Sequence, residues 1–384
     1  MTRSVEILAD LIAFETVSRT PNSALLEHAR GLLEAAGARI ETVPYAEGRT
    51  NIFATIGPED RPPVVLSGHT DVVPVIGQAW TKPPFVLTRE DGRLYGRGSA
   101  DMKGFCAAAL AAAERAKGRR LANPLALALS CDEEVGCLGV RPLVEMLERA
   151  PVRPALVIVG EPTNMAVATG HKGKTGLRAI FRGREGHSAL APLALNALHL
   201  AADFLQALRR RQADITESGA RDGDYDVPYT TLHAGRLEGG VALNIVPNRA
   251  TMEFEIRALA EDDPAAIVAA LRADADAIVA ATGDPDARIE MEIFNTYPGL
   301  STDKASEAVA FVKRLTGANG TIKVAFGTEG GLFAERLGVP VVVCGPGSMA
   351  QGHKPDEFVS EEQMARCDAM LDALLDRLEN GALA

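Results

Sequence analysis

The sequence predicts an α/β protein: a mainly parallel-stranded domain with helices on both faces, plus an inserted α+β domain. Three observations predict it. Helical and strand patterns alternate from the start of the chain to about Val159, as they do in a parallel sheet covered on both sides. From His171 the pattern becomes alternating apolar and polar strands with two helices, which suits a sheet covered on one face. From about Asn295 the first pattern returns. A chain of 384 residues is long for one ordinary core and about right for two domains. The expected divisions are 1–174 and 295–384 for the first domain and 175–294 for the insertion.

Taken in order, Val5–Phe14 has helical apolar spacing broken by Glu6 and Asp10, so it is an amphipathic helix and not a leader peptide. A loop at Ser18–Asn22, a second helix through Ala36 and strands at Ala38–Val43 and Asn51–Ile56 follow. Val64-Val65-Leu66 is a short apolar run bounded by Pro and Gly, the pattern of a fully buried strand. A helix at Phe105–Lys117, a strand at Leu125–Ser130, a helix at Val140–Ala150 and a strand at Ala155–Val159 continue the alternation. The insertion reads as strand Leu177–Phe181, helix Leu193–Arg211, an exposed loop at Asp214–Asp226, strands Thr230–Arg236 and Ala250–Ala258, helix Pro264–Thr282 and strand Ala287–Phe294. Helix Lys304–Thr316, strands Lys323–Phe326 and Val339–Cys344, and a terminal helix from about Ser360 to Leu378 complete the first domain.

Composition narrows the function. A net charge of −11, with Arg209-Arg210-Arg211 as the one basic cluster, argues against a nucleic-acid surface. No apolar run reaches the ~18 residues of a membrane span. Five cysteines without a CxxC pair read as reduced thiols of a cytoplasmic protein.

The chemistry gathers at strand ends. His69 and Asp71 close the Val64 strand, two residues apart and so on one face if the strand persists. A metal-binding imidazole usually gives its second N–H to a carboxylate. Asp101 sits among glycines just before the Ala-rich helix, Glu133-Glu134 follows the next strand, and Glu161 ends the one after. Alone, His-x-Asp is as well a satisfied core histidine, and a Glu-Glu pair is more often solvated. Three successive strand ends pointing to one place change that reading, since open α/β sheets bind ligands beyond the carboxyl ends of their strands. Five carboxylates there, with His353 joining them, cannot all stay ionised without cations. Two divalent ions nearly balance them, whereas one does not. Nitrogen and carboxylate donors without thiolate suit zinc, cobalt or manganese, and the Irving–Williams order with availability favours zinc.

Ser67-Gly-His69-Thr-Asp71, Gly96-Arg-Gly-Ser-Ala-Asp101-Met-Lys-Gly104, Asp132-Glu133-Glu134, Gly160-Glu161-Pro-Thr163 and Gly352-His353-Lys-Pro-Asp-Glu357 match, in order, the motifs of the co-catalytic metallo-aminoacylase/carboxypeptidase family. The chain resembles that family over nearly its whole length. The resemblance implies that His69, Asp101 and Glu161 hold one metal and that Asp101, Glu134 and His353 hold the other. It implies that Asp101 bridges, Glu133 is the general base and Asp71 orients His69. It also implies a cis Asp101–Met102 peptide. Glu at position 161 is similar to the deacylase and desuccinylase branch, and the resemblance as a whole implies hydrolysis of N2-acetylornithine. N-succinyl-diaminopimelate or another N-acyl amino acid or dipeptide is the competing substrate. Arg257 resembles the family arginine that grips the substrate carboxylate, with Asn244 as a neighbouring polar contact. His187, in Gly186-His187-Ser188, resembles the histidine that meets the substrate carbonyl from a second subunit, which implies a homodimer through the inserted domain. The Gly173–Gly176 and Asn295–Gly299 crossings are then the hinges. Glu329, in the Gly327–Gly331 loop, is expected to pair with a cationic substrate side chain. A metallophosphatase would show Asp-x-His first and Asn-His later, and neither is here. A metal-binding protein without activity would lack Glu133.

Overall fold

The computed structural model describes residues 1–381, and the chain divides into two units. Unit 1 runs to Gly170 and resumes at Leu300–Val324 and from Thr328; unit 2 is His171–Gly299 with Ala325–Gly327. The first stretch carries α1 (Arg3–Ala13), α2 (Ser23–Ala35), β1 (Arg39–Ala46), β2 (Arg49–Ile56), β3 (Val64–His69), β4 (Thr88–Glu90), β5 (Arg93–Tyr95), α3 (Lys103–Ala116), β6 (Leu125–Ser130), α4 (Val140–Glu148), β7 (Leu156–Pro162) and β8 (Ala168–His171). Unit 2 carries β9 (Gly173–Arg182), α5 (Ala197–Ser218), β10 (Thr231–Gly239), β11 (Arg249–Ala258), α6 (Pro264–Thr282) and β12 (Arg288–Tyr297). The return adds β13 (Leu300–Ser301), α7 (Glu307–Thr316), β14 (Ile322–Val324), α8 (Gly330–Leu337), β15 (Val341–Gly345), β16 (Phe358–Ser360) and α9 (Glu361–Glu379).

The large sheet of unit 1 has the order β1-β2-β6-β3-β7-β15-β8-β13, with β14 on β8. The pairs β6–β3, β3–β7 and β7–β15 are parallel. The pairs β1–β2, β2–β6 and β15–β8 are antiparallel. The sheet is therefore mixed, and parallel at its centre. At the margin, only Glu47 and Gly48 separate β1 from β2, and so short a link joins antiparallel strands alone.

Each central strand is buried along its length, and alternate residues serve opposite faces. Val64, Leu66, Leu127, Leu129, Ile158 and Val342 join one core with α1, α2, α3, α7 and α9. Val65, Ala128, Val159 and Val343 are equally buried but lie outside that core, on the face where α4 meets α8. Such two-sided burial is why these strands read as continuous apolar runs. Gly160 marks the tightest fit: a Cβ there would stand 1.9 Å from the Phe105 ring of α3. That contact seats the helix against the strand that carries Glu161.

In unit 2 the sheet runs β10-β11-β9-β12, with all three pairings antiparallel. Leu177, Ala179, Phe181, Met252, Phe254 and Ile256 form a core with α5 and α6. The opposite face is a ladder of cross-strand ion pairs, Arg178 with Glu253 and Arg182 with Glu290. Helix α6 has the expected bounds because both ends are signalled: Asp263 caps it ahead of Pro264, and Gly283 leaves it at φ +63°.

Several expectations shift. Helix α5 begins at Ala197, after a 3-10 turn at Ser188–Leu193 containing Pro192, and runs to Ser218, so the start of the expected 214–226 loop is helical. Helix α8, the β4/β5/β16 sheet, β8 and β13 have no counterpart in the sequence reading. All but α8 are strands of two to four residues, too short for a periodic signal. Helix α8 hides behind Gly330-Gly331, where a helix start is not expected. The strand expected at Lys323–Phe326 is Ile322–Val324.

Candidate metal centre

The parallel register brings the carboxyl ends of β3, β6 and β7 to one side, with His69 opposite Ser130 and Ser67 opposite Val159. His69 is 1% exposed. Its Nδ1 donates to the Asp71 carbonyl oxygen at 2.9 Å, which leaves Nε2 as the metal-seeking nitrogen. Nε2 stands 3.0 Å from Asp101 Oδ1 and 3.6 Å from Glu161 Oε1. The other oxygen of Asp101, Oδ2, is 3.2 Å from His353 Nε2, which is also 3.0 Å from Glu134 Oε2. One carboxylate thus offers one oxygen to each histidine. Zinc bonds of about 2.0–2.2 Å in a tetrahedron separate neighbouring donors by roughly 3.3 Å, and these spacings fit that edge. The donor atoms of His69, Glu133 and Glu161 lie within 4.8 Å of one another, as do those of His69, Asp101 and Glu134. By distance alone Glu133 stands close enough to be a ligand as well as a base.

The electrostatics are those of a site made for cations. Burial raises Glu133 to about 8 and Glu134 to about 7, with the charge of Glu134 adding to the first and that of Asp101 to the second. Glu161 is pushed well above the carboxylate range, by burial first and by Asp101 next. Burial works the same way on Asp101, but hydrogen bonds with His353 and His69 outweigh it and hold that group below its ordinary value. Carboxylates so crowded give up their protons to bound metal.

Asp71 acts differently from expectation. Its carboxylate Oδ1 lies 3.7 Å from His69 Nδ1, outside hydrogen-bond range, and its main-chain carbonyl does the orienting. The carboxylate instead accepts the Glu133 and Glu134 N–H groups at 3.0 and 3.4 Å and the Ser18 hydroxyl at 2.7 Å. It therefore holds the turn that presents the paired glutamates. The thiol of Cys137 donates to Glu133 Oε1 at 3.1 Å.

Glu329 is a correction. It is 0% exposed, and its two oxygens accept the hydroxyls of Ser67 on β3 and Ser130 on β6. Both oxygens are engaged inside the protein, and the side chain has no exposed surface to offer a substrate cation. It ties two strand ends together beneath the centre, because the residue before α8 is drawn in with that helix. The peptide Asp101–Met102 is cis.

The remaining expected residues lie in unit 2. Arg257, at the end of β11, donates Nε to Glu255 at 3.0 Å and Nη1 to the Tyr297 hydroxyl at 2.9 Å. His187 and Asn244 are exposed neighbours: the Ser188 N–H donates to the Asn244 carbonyl at 3.1 Å, and His187 bridges Ile245. The Ala189 N–H donates to His187 Nδ1 at 3.1 Å, so a neutral ring carries its proton on Nε2 and presents a donor.

Sequence reasoning passed over Gln78, Arg97 and Glu357. Glu357 accepts the N–H groups of Ala100 and Asp101 at 2.9 and 3.1 Å and pairs with Arg97 at 2.5 Å. Arg97 and Glu357 each lie four residues from a candidate ligand, Asp101 and His353, within the same motifs. That spacing was the available signal.

Fold and donor set together define a metal-dependent amidohydrolase acting on linear amides. The chain belongs to peptidase family M20/M25/M40, whose signature spans residues 65–377. It is similar to the acetylornithine deacetylase of Myxococcus xanthus, 35% identical over 371 residues that cover 95% of this chain and 94% of the relative. The acetylornithine deacetylase of Pasteurella multocida (strain Pm70) is 31% identical, with 98% of each chain covered. The M20 family metallo-carboxypeptidase Sso-CP2 from Sulfolobus solfataricus shares the fold at a TM-score of 0.79 and 19% identity, over 99% of this chain and 100% of that one.

Proposed function

We propose that the protein removes the acetyl group of N2-acetylornithine, giving ornithine and acetate, as a cytoplasmic step of arginine biosynthesis. The observation that carries a two-metal site is the division of the Asp101 oxygens between His69 and His353. Acetylornithine deacetylases at 31–35% identity over nearly the full chain support the substrate. His69, Asp101 and Glu161 hold one ion, and Asp101, Glu134 and His353 the other, with zinc preferred and cobalt the alternative. Two bound ions would polarise the acyl oxygen and make water a nucleophile near neutral pH. Glu133, buried beside the paired centre, takes the water proton and returns it to the leaving amine. Arg257 grips the substrate carboxylate, with Asn244 beside the substrate, and His187 donates Nε2–H to the carbonyl oxygen as charge develops there.

The span of the unit 2 sheet supports a homodimer. Arg257 pairs with Lys174 at one end of β11, and Arg249 with Arg182 at the other. Eight residue steps along the strand put the two ends roughly 25 Å apart, and the His187 loop lies beyond the Arg249 end. An N-acyl amino acid of about three chain units spans roughly 10 Å. Arg257 and His187 of one chain therefore do not reach one substrate molecule, whereas residues of two copies can. Leu190, Leu193, Val241 and Leu243, all more than half exposed around His187 and Asn244, supply an apolar face for a second copy. The test is hydrolysis of N2-acetylornithine, N-succinyl-diaminopimelate and a simple dipeptide by zinc- or cobalt-loaded protein. N2-acetylornithine should give the highest kcat/KM, and a faster rate on either competitor overturns the assignment.

A further inference from the structure

His353 is the least protected member of the centre. It lies in a turn outside helix and strand, at φ +61°, with its side chain half exposed. Left-handed backbone is uncommon for a residue other than glycine and persists where surrounding contacts impose it. Those contacts are on the page. Gln78, half-buried in the loop after β3, donates Nε2–H to the His353 carbonyl oxygen at 2.9 Å. Its Oε1 accepts from Arg97 Nη2 at 2.5 Å and from Trp80 Nε1 at 3.0 Å. The orientation of the amide is forced, since guanidinium and indole only donate and a carbonyl only accepts. Arg97 stacks over the Trp80 ring at 5.0 Å and pairs with the fully buried Glu357. Glu357 in turn holds the Asp101 N–H. Asp356 fastens the same two segments by accepting from Thr81 and Lys82.

We propose that Gln78 is a positioning residue for the second metal position, acting through the main chain of His353. One line of hydrogen bonds runs from the Asp101 N–H through Glu357, Arg97 and Gln78 to the His353 carbonyl. It joins two ligands of one ion that are 252 residues apart (353 − 101). The first position owes nothing to this line beyond Asp101: Glu161 rides on β7, and His69 is set by the carbonyl of Asp71. Loss of Gln78 therefore weakens one position and spares the other.

The inference rests on the two-metal reading, and the experiment separates the two. Metal-free full-length protein is titrated with cobalt(II), followed by calorimetry and by visible absorption, for wild type, Gln78→Ala and Gln78→Glu. Gln78→Glu keeps oxygen acceptors for Arg97 and Trp80, puts an acceptor in place of the donor to His353 and adds a negative charge, whereas Gln78→Ala removes the amide without adding one. Both variants should bind the second ion about 10- to 100-fold more weakly, the range for partners that orient ligands. The first step and the melting temperature of the metal-free protein should stay at wild-type values. Wild-type affinity for the second ion in both variants overturns the role of Gln78, as does equal weakening of both steps. A wild-type protein that binds only one ion overturns the two-metal reading, and this inference with it.

Discussion

In unit 1 the charges of the centre other than His353 are inside. His69, Asp71, Asp101, Glu161, Glu329 and Glu357 are each at most 3% exposed, and each has a named partner on another element or a place at the metal centre. In unit 2 the ion pairs Arg178–Glu253 and Arg182–Glu290 lie on the outer face of a four-stranded sheet, and His187 and Asn244 are exposed on loops. A buried carboxylate costs several kcal/mol unless it is matched, so unit 1 can keep its set only with hydrogen bonds and cations in place. An exposed polar residue costs little to keep, and on the proposed function a second copy would complete the chemistry that unit 2 offers. On the proposed function, the difference is between a site assembled by the chain and residues that a second copy would complete.

The sharpest way to break this comparison is at Glu133. Glu133→Gln should cut turnover about 10²–10⁴-fold, as loss of a general base does, while metal analysis still finds both ions. A missing ion would place Glu133 among the ligands instead, which its distance from His69 and Glu161 permits. Next comes the partner. His187→Ala should lose about 10²-fold or more in kcat with little change in KM, because its contact forms in the transition state. Exchange of subunits between inactive Glu133→Gln and inactive His187→Ala protein should then restore one working site per mixed dimer. Confirmed exchange without recovered activity would refute the action of His187 across an interface.

Metal removal probes unit 1 alone. Chelation should destabilise the protein by roughly 3–5 kcal/mol, the scale of a buried charge left without its partner. The effect reads as a lower melting temperature that added zinc restores. An unchanged melting temperature would mean that the carboxylates are matched without metal. The smallest effect is expected at Glu329. Glu329→Gln should cost roughly 1–3 kcal/mol for a disturbed buried hydrogen-bond pair, with the ranking of substrates unchanged. A changed ranking would return this residue to the substrate.

The residues that gather at the candidate metal centre were legible before any coordinates because each sits where local sequence announces it, at the end of an apolar run or near a glycine. His69, Glu133, Glu134 and Glu161 follow buried strands, and the alternation of helix and strand already implies that such ends converge. The alternating strands of unit 2 were legible for a related reason: one wet face and one dry face leave a period of two in the residues themselves. Tertiary structure alone decided the partners. Glu329 read as a loop glutamate because nothing near it in sequence reveals that Ser67 and Ser130 wait for it inside. Asp71 was expected to reach His69, two residues away, yet its carboxylate turned to the main chain of Glu133 and Glu134. Gln78 carried no signal, since its worth depends on a carbonyl 275 residues further along. Periodicity is a property of neighbours in the chain, whereas a hydrogen-bond partner is chosen by whatever the folded chain brings within about 3 Å.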